Sequence, residues 1–408
     1  MVHLAIVGVG GYGWGLIREL LDGGEGLDCR LVAAADADLA AVPEHADELR
    51  RRGVALYGDA VEMFQAVRGR CEAAYIASSI PSHAPLTVAA ARCGLHVHLE
   101  KPPAATVQEV DEMLGALDAA GRMCLVGFQA LHGDMRLILD ATAAGRLGRV
   151  ESITCAAGWP RMREYYRRND WAGRLRRGER WVLDGPVTNA LAHQVAHMLA
   201  MASGRAHQLA TPTAVRAELY AAGPVEGHNV AALEVQTAEG PLVRFFASHA
   251  TAGSFGPVIE LSAERGRAVY AQRQGSRLTL DDGSDETRPF EPGETREMIA
   301  NFLEAVRASD PSRLRCPLAE TRKFVLALDG AHESSGRVHR IGREHWHFEE
   351  ADTDRQRVVV GELDGILKAA KEQGRLFSDL PDAPPWAVAA DPFDLDGYVE
   401  FPQRFVCE

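Results

Sequence analysis

The chain has 408 residues, 46% of them hydrophobic and 25% charged, which is enough for two domains with full cores. A formal charge of −13 argues against a nucleic-acid surface, and no apolar run reaches the length that spans a bilayer. The seven cysteines are widely spaced and form no CxxC pair, and the N-terminus MVHLAIVGVGGYG reads as a strand rather than a leader. Both features point to a reduced, cytoplasmic protein without a cysteine metal site.

Residues 2–127 alternate between short apolar runs and helical stretches. The runs are HLAIVG, RLVAAAD, AAYIAS, LHVHLE and RMCLVGF; between them lie stretches such as YGWGLIRELL, VEMFQAV, HAPLTVAAARCG and VQEVDEMLGALDAAG. This alternation predicts an α/β domain with a doubly wound parallel sheet. Its first crossover carries Gly8, Gly10, Gly11, Tyr12 and Gly13 between a strand and a helix, the context a dinucleotide fingerprint requires. Gly8 permits the tight turn, Gly10 lets backbone approach a pyrophosphate, and Gly13 lets helix and strand pack closely. Asp36 ends the second strand, where a carboxylate accepts from the adenosine ribose hydroxyls and repels a 2′-phosphate. No basic residue follows it in DADLAAV, so the expected cofactor is NAD(H) rather than NADP(H).

The run LHVHLE is followed directly by Lys101, the only lysine before position 323. Of the 44 Lys and Arg residues only four are lysine. Arginine stays protonated, whereas a lysine ammonium lowers its pKa on burial and can give up a proton. A lone lysine in the loop after a strand therefore suggests proton chemistry, against the plainer reading of a strand-end charge.

With GVGGYG, the segment IPSHAPLTVAAARCGLHVHLEKP and the later GRLGRV in order, the chain resembles the glucose–fructose oxidoreductase, inositol dehydrogenase and MocA family over about residues 2–345. The resemblance implies an N-terminal Rossmann domain (1–130) and a C-terminal α+β domain on an open, mostly antiparallel sheet (131–345). Residues 346–408 form an extension. It also implies that Lys101 lies beside the nicotinamide and the reacting hydroxyl, with Glu100 next to it. Ser78, Pro81 and His83 fall in the cofactor-lining loop after the fourth strand. For His83, a helix N-terminal histidine bonding only backbone is the alternative.

In WVLDGPVTNALAHQVAHML, His193 matches the family's histidine, and Asn189 stands where the family has Asp. Asn189, His193 and His197 are spaced to share one helical face. Three readings compete: catalytic, with His193 exchanging the proton and Asn189 orienting substrate; structural, with satisfied core histidines; and metal-binding. HQVAH has Gln194 where a zinc protease needs Glu, so no metal is expected. An amide cannot raise a neighbour's basicity as a carboxylate does. Either Asp184, just before the helix, supplies that charge, or the chemistry differs from that of the standard polyol dehydrogenases. The string YYRRNDWAGRL…WVLDGPVTNALAH resembles a less characterised subgroup in which Asn is usual at this position.

Residues 159–181 hold eight arginines and five Trp or Tyr residues. Aromatic faces and arginine forks suit carbohydrate and carboxylate recognition, against the plainer reading of a solvated loop. Trp159, Arg163, Tyr165, Trp171 and Asp184 are the expected substrate contacts. Further on, TAVRAELYAAG, NVAALEVQTAEGPLVRFFASHA and PVIELSAERGRAVYAQR alternate as a meander. TREMIANFLEAVRAS, LAETRKFVLALDGAHESS and RQRVVVGELDGILKAAKEQGR read as helices, and the end as an irregular tail.

Together these features describe an NAD(H)-dependent oxidoreductase moving a hydride to or from a secondary alcohol of a sugar, polyol or sugar acid. It is expected to work as a homodimer or homotetramer. Two alternatives stand beside it. One is a redox-neutral enzyme that cleaves or eliminates after transient sugar oxidation. The other is a non-catalytic NAD-binding sensor.

Overall fold

The structure is a computed structural model that describes residues 1–22, 26–350 and 353–407. It forms two compact units: Met1–Ala104 with Gln108–Gly133 and Pro292–Arg322, and Ala105–Val107 with Asp134–Glu291 and Lys323–Glu408.

The first unit alternates strand and helix: β1 (Val2–Val7), α1 (Gly11–Asp22), β2 (Cys29–Ala35), α2 (Pro43–Arg51), β3 (Ala55–Tyr57), α3 (Ala60–Val67), β4 (Ala73–Ile76), α4 (Ile80–Arg92), β5 (His96–Leu99), α5 (Val107–Ala120) and β6 (Cys124–Val126). The strands pair in parallel in the order β3-β2-β1-β4-β5-β6. The order reverses between β1 and β4, the switch point at whose carboxyl ends such sheets bind ligands. Strands β4 and β5 are buried along their whole lengths, as a sheet covered on both faces requires. The sequence reading missed β3 and α2. The first is three residues at the sheet edge, and the second buries only Ala46 and Leu49, so neither carries a readable period. Helix Glu294–Ala308, expected within the second domain, joins this unit instead. Its Met298, Ile299, Phe302 and Leu303 complete the apolar cluster of Leu4, Ile6, Ile17 and Leu31. The first unit thus runs to Gly133, near the expected division at residue 130, and takes the returning segment Pro292–Arg322 in addition.

The second unit contains α6 (Arg136–Ala143), β7 (Val150–Gly158), α7 (Arg163–Arg167), the short pair β8 (Arg176–Arg177) and β9 (Arg180–Trp181), α8 (Ala192–Ser203), and strands β10 (Pro212–Ala221), β11 (Val230–Thr237), β12 (Leu242–Ser248), β13 (Phe255–Ala263), β14 (Gly266–Ala271), β15 (Gly275–Leu280), β16 (Asp285–Pro289), β17 (His339–Arg340), β18 (Trp346–Glu349), β19 (Arg357–Val360) and β20 (Phe393–Asp394). The large sheet runs β16-β15-β14-β13-β7-β12-β11-β10-β17, with β20 also on β10. It is mostly antiparallel, but not a simple meander: β7 inserts between β13 and β12 and runs parallel to β12.

The stretch read as one helix over 355–375 is two elements. The β-branched run Arg357–Val360 pairs with β18, and Glu362, at φ 58°, turns the chain into helix Leu363–Gln373. That helix buries Leu363, Leu367 and Ala370 in a cluster with Tyr220, Phe246, Phe377 and Trp386. Residues beyond 346 are thus part of this unit's core. Among the described residues, no helix is long and apolar enough to cross a membrane.

Candidate functional site

The glycine loop closes directly onto the end of β4. Gly8 sits at φ +96°, and a Cβ there would collide with the carbonyl of Ala77; one on Gly13 would collide with the carbonyl of Gly8. Gly11, at φ +52°, has open space where a side chain would be, and it starts α1. The loop thus presents bare backbone at a helix N-terminus, which suits a diphosphate. Asp36 braces it, accepting from Val9 N–H at 2.8 Å and Asp38 N–H at 3.0 Å. A carboxylate offers about four lone-pair directions, so two remain for ribose hydroxyls. These features fit NAD. The Trp14 ring stacks on His45 at 3.9 Å, and His45 Nδ1 meets the Val9 carbonyl at 3.1 Å. Sequence reading did not single out this pair; a Trp directly after the glycine motif was the available signal.

The next loops belong to β4 and β5. Ser82 donates to Ser78 Oγ at 2.8 Å, and Pro81 begins α4. His83 is buried with its ring between two carbonyls, Pro102 O at 2.8 Å from Nδ1 and Ser78 O at 3.1 Å from Nε2. It ties the two loops together, and burial lowers its pKa to about 4. Both partners are backbone carbonyls, in keeping with the plainer of its two expected roles. Lys101 is half-buried, and its N–H donates to Glu100 Oε2 at 3.2 Å. Glu100 is buried over Gly127, and burial raises its pKa to about 7 against the pull of the Lys101 ammonium. Tyr12, with its ring half exposed, pairs its hydroxyl with Gln129. Behind Glu100, Tyr75 and His98 share a 2.9 Å hydrogen bond.

In the second unit, Asn189 and His193 do not share one α-helix. Pro186–Ala190 is a π-turn, closed by Leu191 N–H on Pro186 O at 2.7 Å, and α8 begins only at Ala192. Pro186, at the N-terminal edge of the turn, and Thr188 Oγ bonding Leu183 O at 2.5 Å explain the wider register. The break rotates Asn189 relative to His193, so the expected i, i+4, i+8 row is corrected. His193 and His197 do lie on α8, ring centroids 5.7 Å apart. His197 is fully enclosed, and burial lowers its pKa to about 3. Asn189 instead pairs with Asp184: Nδ2 donates to Asp184 Oδ1 at 2.8 Å, and Asp184 Oδ2 accepts from Gly173 N–H at 2.6 Å. Only an amide NH₂ can donate to a carboxylate, so this contact fixes the amide's orientation.

The arginine-rich segment folds beside this pair. Tyr165 lies between two guanidinium groups, Arg161 at 4.7 Å and Arg168 at 3.9 Å from the ring centre, and Arg161 also covers Trp159. Burial first, then the charge of Asp184, raises the Tyr165 pKa to about 12. Trp171 faces Arg168, whereas Arg163 is exposed. The structure also brings in His228, His249 and His332. His228 packs on Gly185, where a Cβ would collide with its ring, and lies 5.5 Å from His332. His228 and His332 carried no motif; only burial reveals them. Among the described residues, no group of three His, Cys, Asp or Glu residues is placed to hold a metal.

Residues 2–128 match the family model GFO_IDH_MocA, described as an oxidoreductase family with an NAD-binding Rossmann fold. Inositol 2-dehydrogenase of Azotobacter vinelandii is 28% identical over 196 residues, 48% of this chain and 52% of that protein, so the match spans about half the length of that curated relative. WlbA dehydrogenase from Bordetella pertussis, solved with NADH and UDP-GlcNAcA, superposes with a TM-score of 0.67 at 21% identity, covering 82% of this chain and 96% of that one. An oxidoreductase domain protein from Kribbella flavida gives 0.69 at 18% identity, over 82% and 97%. At these identities the likeness establishes the fold.

Proposed function

We propose that this chain, whose residues 2–128 match the GFO_IDH_MocA oxidoreductase family with its NAD-binding Rossmann fold, oxidises or reduces a secondary alcohol of a sugar, polyol or sugar acid. The observation that carries the reading is positional. The glycine loop, Ser78 and Lys101 follow β1, β4 and β5, three neighbouring strands, at their carboxyl ends. The phosphate cradle and the one early lysine therefore belong to the same rim of one sheet.

The loop Gly8–Gly13, Asp36 and Ser78 would hold NAD, which when bound supplies the hydride acceptor or donor. Lys101 holds the reacting oxygen and stabilises or exchanges its proton. Glu100 beside it, raised toward neutrality, keeps a second proton within reach. Asn189 has its NH₂ committed to Asp184, so it turns its carbonyl oxygen to a substrate hydroxyl. His193 is the acid–base partner. The inositol and sugar-nucleotide dehydrogenases that the chain resembles support a carbohydrate substrate.

The test is cofactor stoichiometry against a panel of sugars, polyols and sugar acids. A dehydrogenase forms one reduced cofactor per substrate consumed. Substrate loss without reduced cofactor would replace this reading with redox-neutral chemistry. Saturable NAD binding with no turnover on any panel member would replace it with a sensor.

A further inference from the structure

We propose that Arg161, Arg168 and His249 form a subsite for a carboxylate with a neighbouring hydroxyl, so that the ligand of the second unit is a sugar acid. The inference takes from the dehydrogenase reading only that the ligand is carbohydrate-like.

Arginines elsewhere in this acidic chain are regularly paired: Arg136 with Asp140, Arg216 with Asp379, Arg244 with Glu234 and Arg357 with Glu349. Among the described residues, Arg161 and Arg168 form no ion pair, and Arg161 Nε is buried without a hydrogen-bond partner. Both guanidinium groups lie over the same Tyr165 ring, so two positive charges converge there. A planar fork with an unfilled donor matches a carboxylate. Leaving such a donor buried and unfilled costs free energy.

His249 adds the second element. It is 3% exposed, and its Nδ1 meets the Trp159 carbonyl at 2.9 Å. A carbonyl only accepts, so Nδ1 carries the proton and Nε2 presents a lone pair. That lone pair is buried and unpartnered. It calls for a donor, which a hydroxyl supplies and a carboxylate does not. Guanidinium donors beside an imidazole acceptor thus fit an acid with an adjacent alcohol, as at the end of an aldonate or uronate.

The site is also rigid. Trp159 N–H donates to Ser248 O at 2.8 Å and Arg161 N–H to His249 O at 3.0 Å, so backbone pairing fixes Arg161 beside His249. The group adjoins the Asp184–Asn189 pair, since Asp184, Arg161 and Arg168 all act on the Tyr165 hydroxyl.

The experiment is equilibrium titration of the full chain with NADH present, comparing D-gluconate with D-glucitol and D-glucuronate with D-glucose. Each acid is expected to bind at least about tenfold tighter than its neutral counterpart, and Arg161→Gln to remove that preference. The thermal unfolding midpoint of the full chain reports that the variant is folded. If Arg161→Gln is not folded, the exposed Arg168→Gln decides, with the acid preference expected to fall. Equal affinities in the wild type, or an undiminished preference in the folded variant, overturn the subsite. In a parallel assay with NAD⁺ in place of NADH, selective acid binding without formation of reduced cofactor leaves the subsite standing and overturns the dehydrogenase reading; reduction of NAD⁺ by neutral polyols without acid preference does the reverse.

Discussion

Asp184 Oδ1 and Asn189 Nδ2 form a 2.8 Å hydrogen bond inside the second unit, with both residues buried. The carboxylate that the family resemblance leads one to expect at position 189 has a counterpart one hydrogen bond away, at position 184. Asn189→Asp would set two carboxyl groups against each other in a buried site, and one would keep its proton. The raised folded pKa gives a stability deficit that is small near pH 4.5 and grows as pH rises. A loss of about 2–5 kcal/mol at pH 8 is expected. Chemical denaturation of wild type and variant at the two pH values checks it, and a deficit independent of pH contradicts the pairing.

Glu100 carries a linked prediction. Its folded pKa is about 7 against 4.5 for the ordinary group, so its stabilising contribution is full below pH 4.5 and lost as pH rises through 7. Glu100→Gln removes that loss. The variant should gain on wild type between pH 5 and pH 8, by on the order of 3 kcal/mol at most. Denaturation midpoints that stay parallel across that range would show that the carboxyl is not raised.

The buried histidines act with the opposite sign. His83 and His332 have folded pKa values near 4 against 6.5 unfolded, chiefly through burial. Their contribution is present above pH 6.5 and is lost as pH falls from 6.5 through 4. Unfolding free energy is expected to drop across that window, and His83→Gln to lessen the drop by about 1–3 kcal/mol. An identical acid profile in the variant would remove His83 from the acid response.

The C-terminal tail is pinned by one side chain. Glu333 accepts from Tyr398 hydroxyl and from the N–H groups of Gln403, Arg404 and Phe405, at 2.6–2.8 Å. Phe401 and Phe405 then pack edge-on against Trp181. An amide offers one oxygen and turns an NH₂ toward backbone donors, so Glu333→Gln should release the tail. Tryptic cleavage after the exposed Arg404 is expected to accelerate at least about tenfold, while NADH affinity stays unchanged. Unaltered cleavage would show that the apolar contacts hold the tail alone.

Local spacing made the first unit legible. The glycines, Asp36 and Lys101 lie at strand ends whose order the alternating pattern already implies, and all fall on one rim of the sheet. Helix Glu294–Ala308 was readable as a helix, but its apolar face does not say which core it joins. The π-turn at Pro186–Ala190 depends on Thr188 bonding Leu183, a tertiary choice that helical periodicity hides. His228 and His332 stand in no motif, and their meaning arises only from burial against Gly185 and Phe405.

The glycine loop yields a cofactor preference. Asp36 holds Val9 and Asp38 N–H and leaves negative charge where a 2′-phosphate would sit. NADH should bind at least about tenfold tighter than NADPH in a fluorescence titration. Equal or tighter NADPH binding contradicts that assignment.

The central claim is hydride transfer at a site built on Lys101. Its most direct test is a single turnover with a substrate deuterated at the carbinol carbon, comparing wild type with Lys101→Arg. The account predicts that wild type delivers the label to NAD and releases it as reduced cofactor. Lys101→Arg should retain NAD affinity but transfer the label at least about a hundredfold more slowly, because a permanent cation cannot exchange the proton. Label that stays with the substrate in wild type, or label transfer by Lys101→Arg at the wild-type rate, would contradict it.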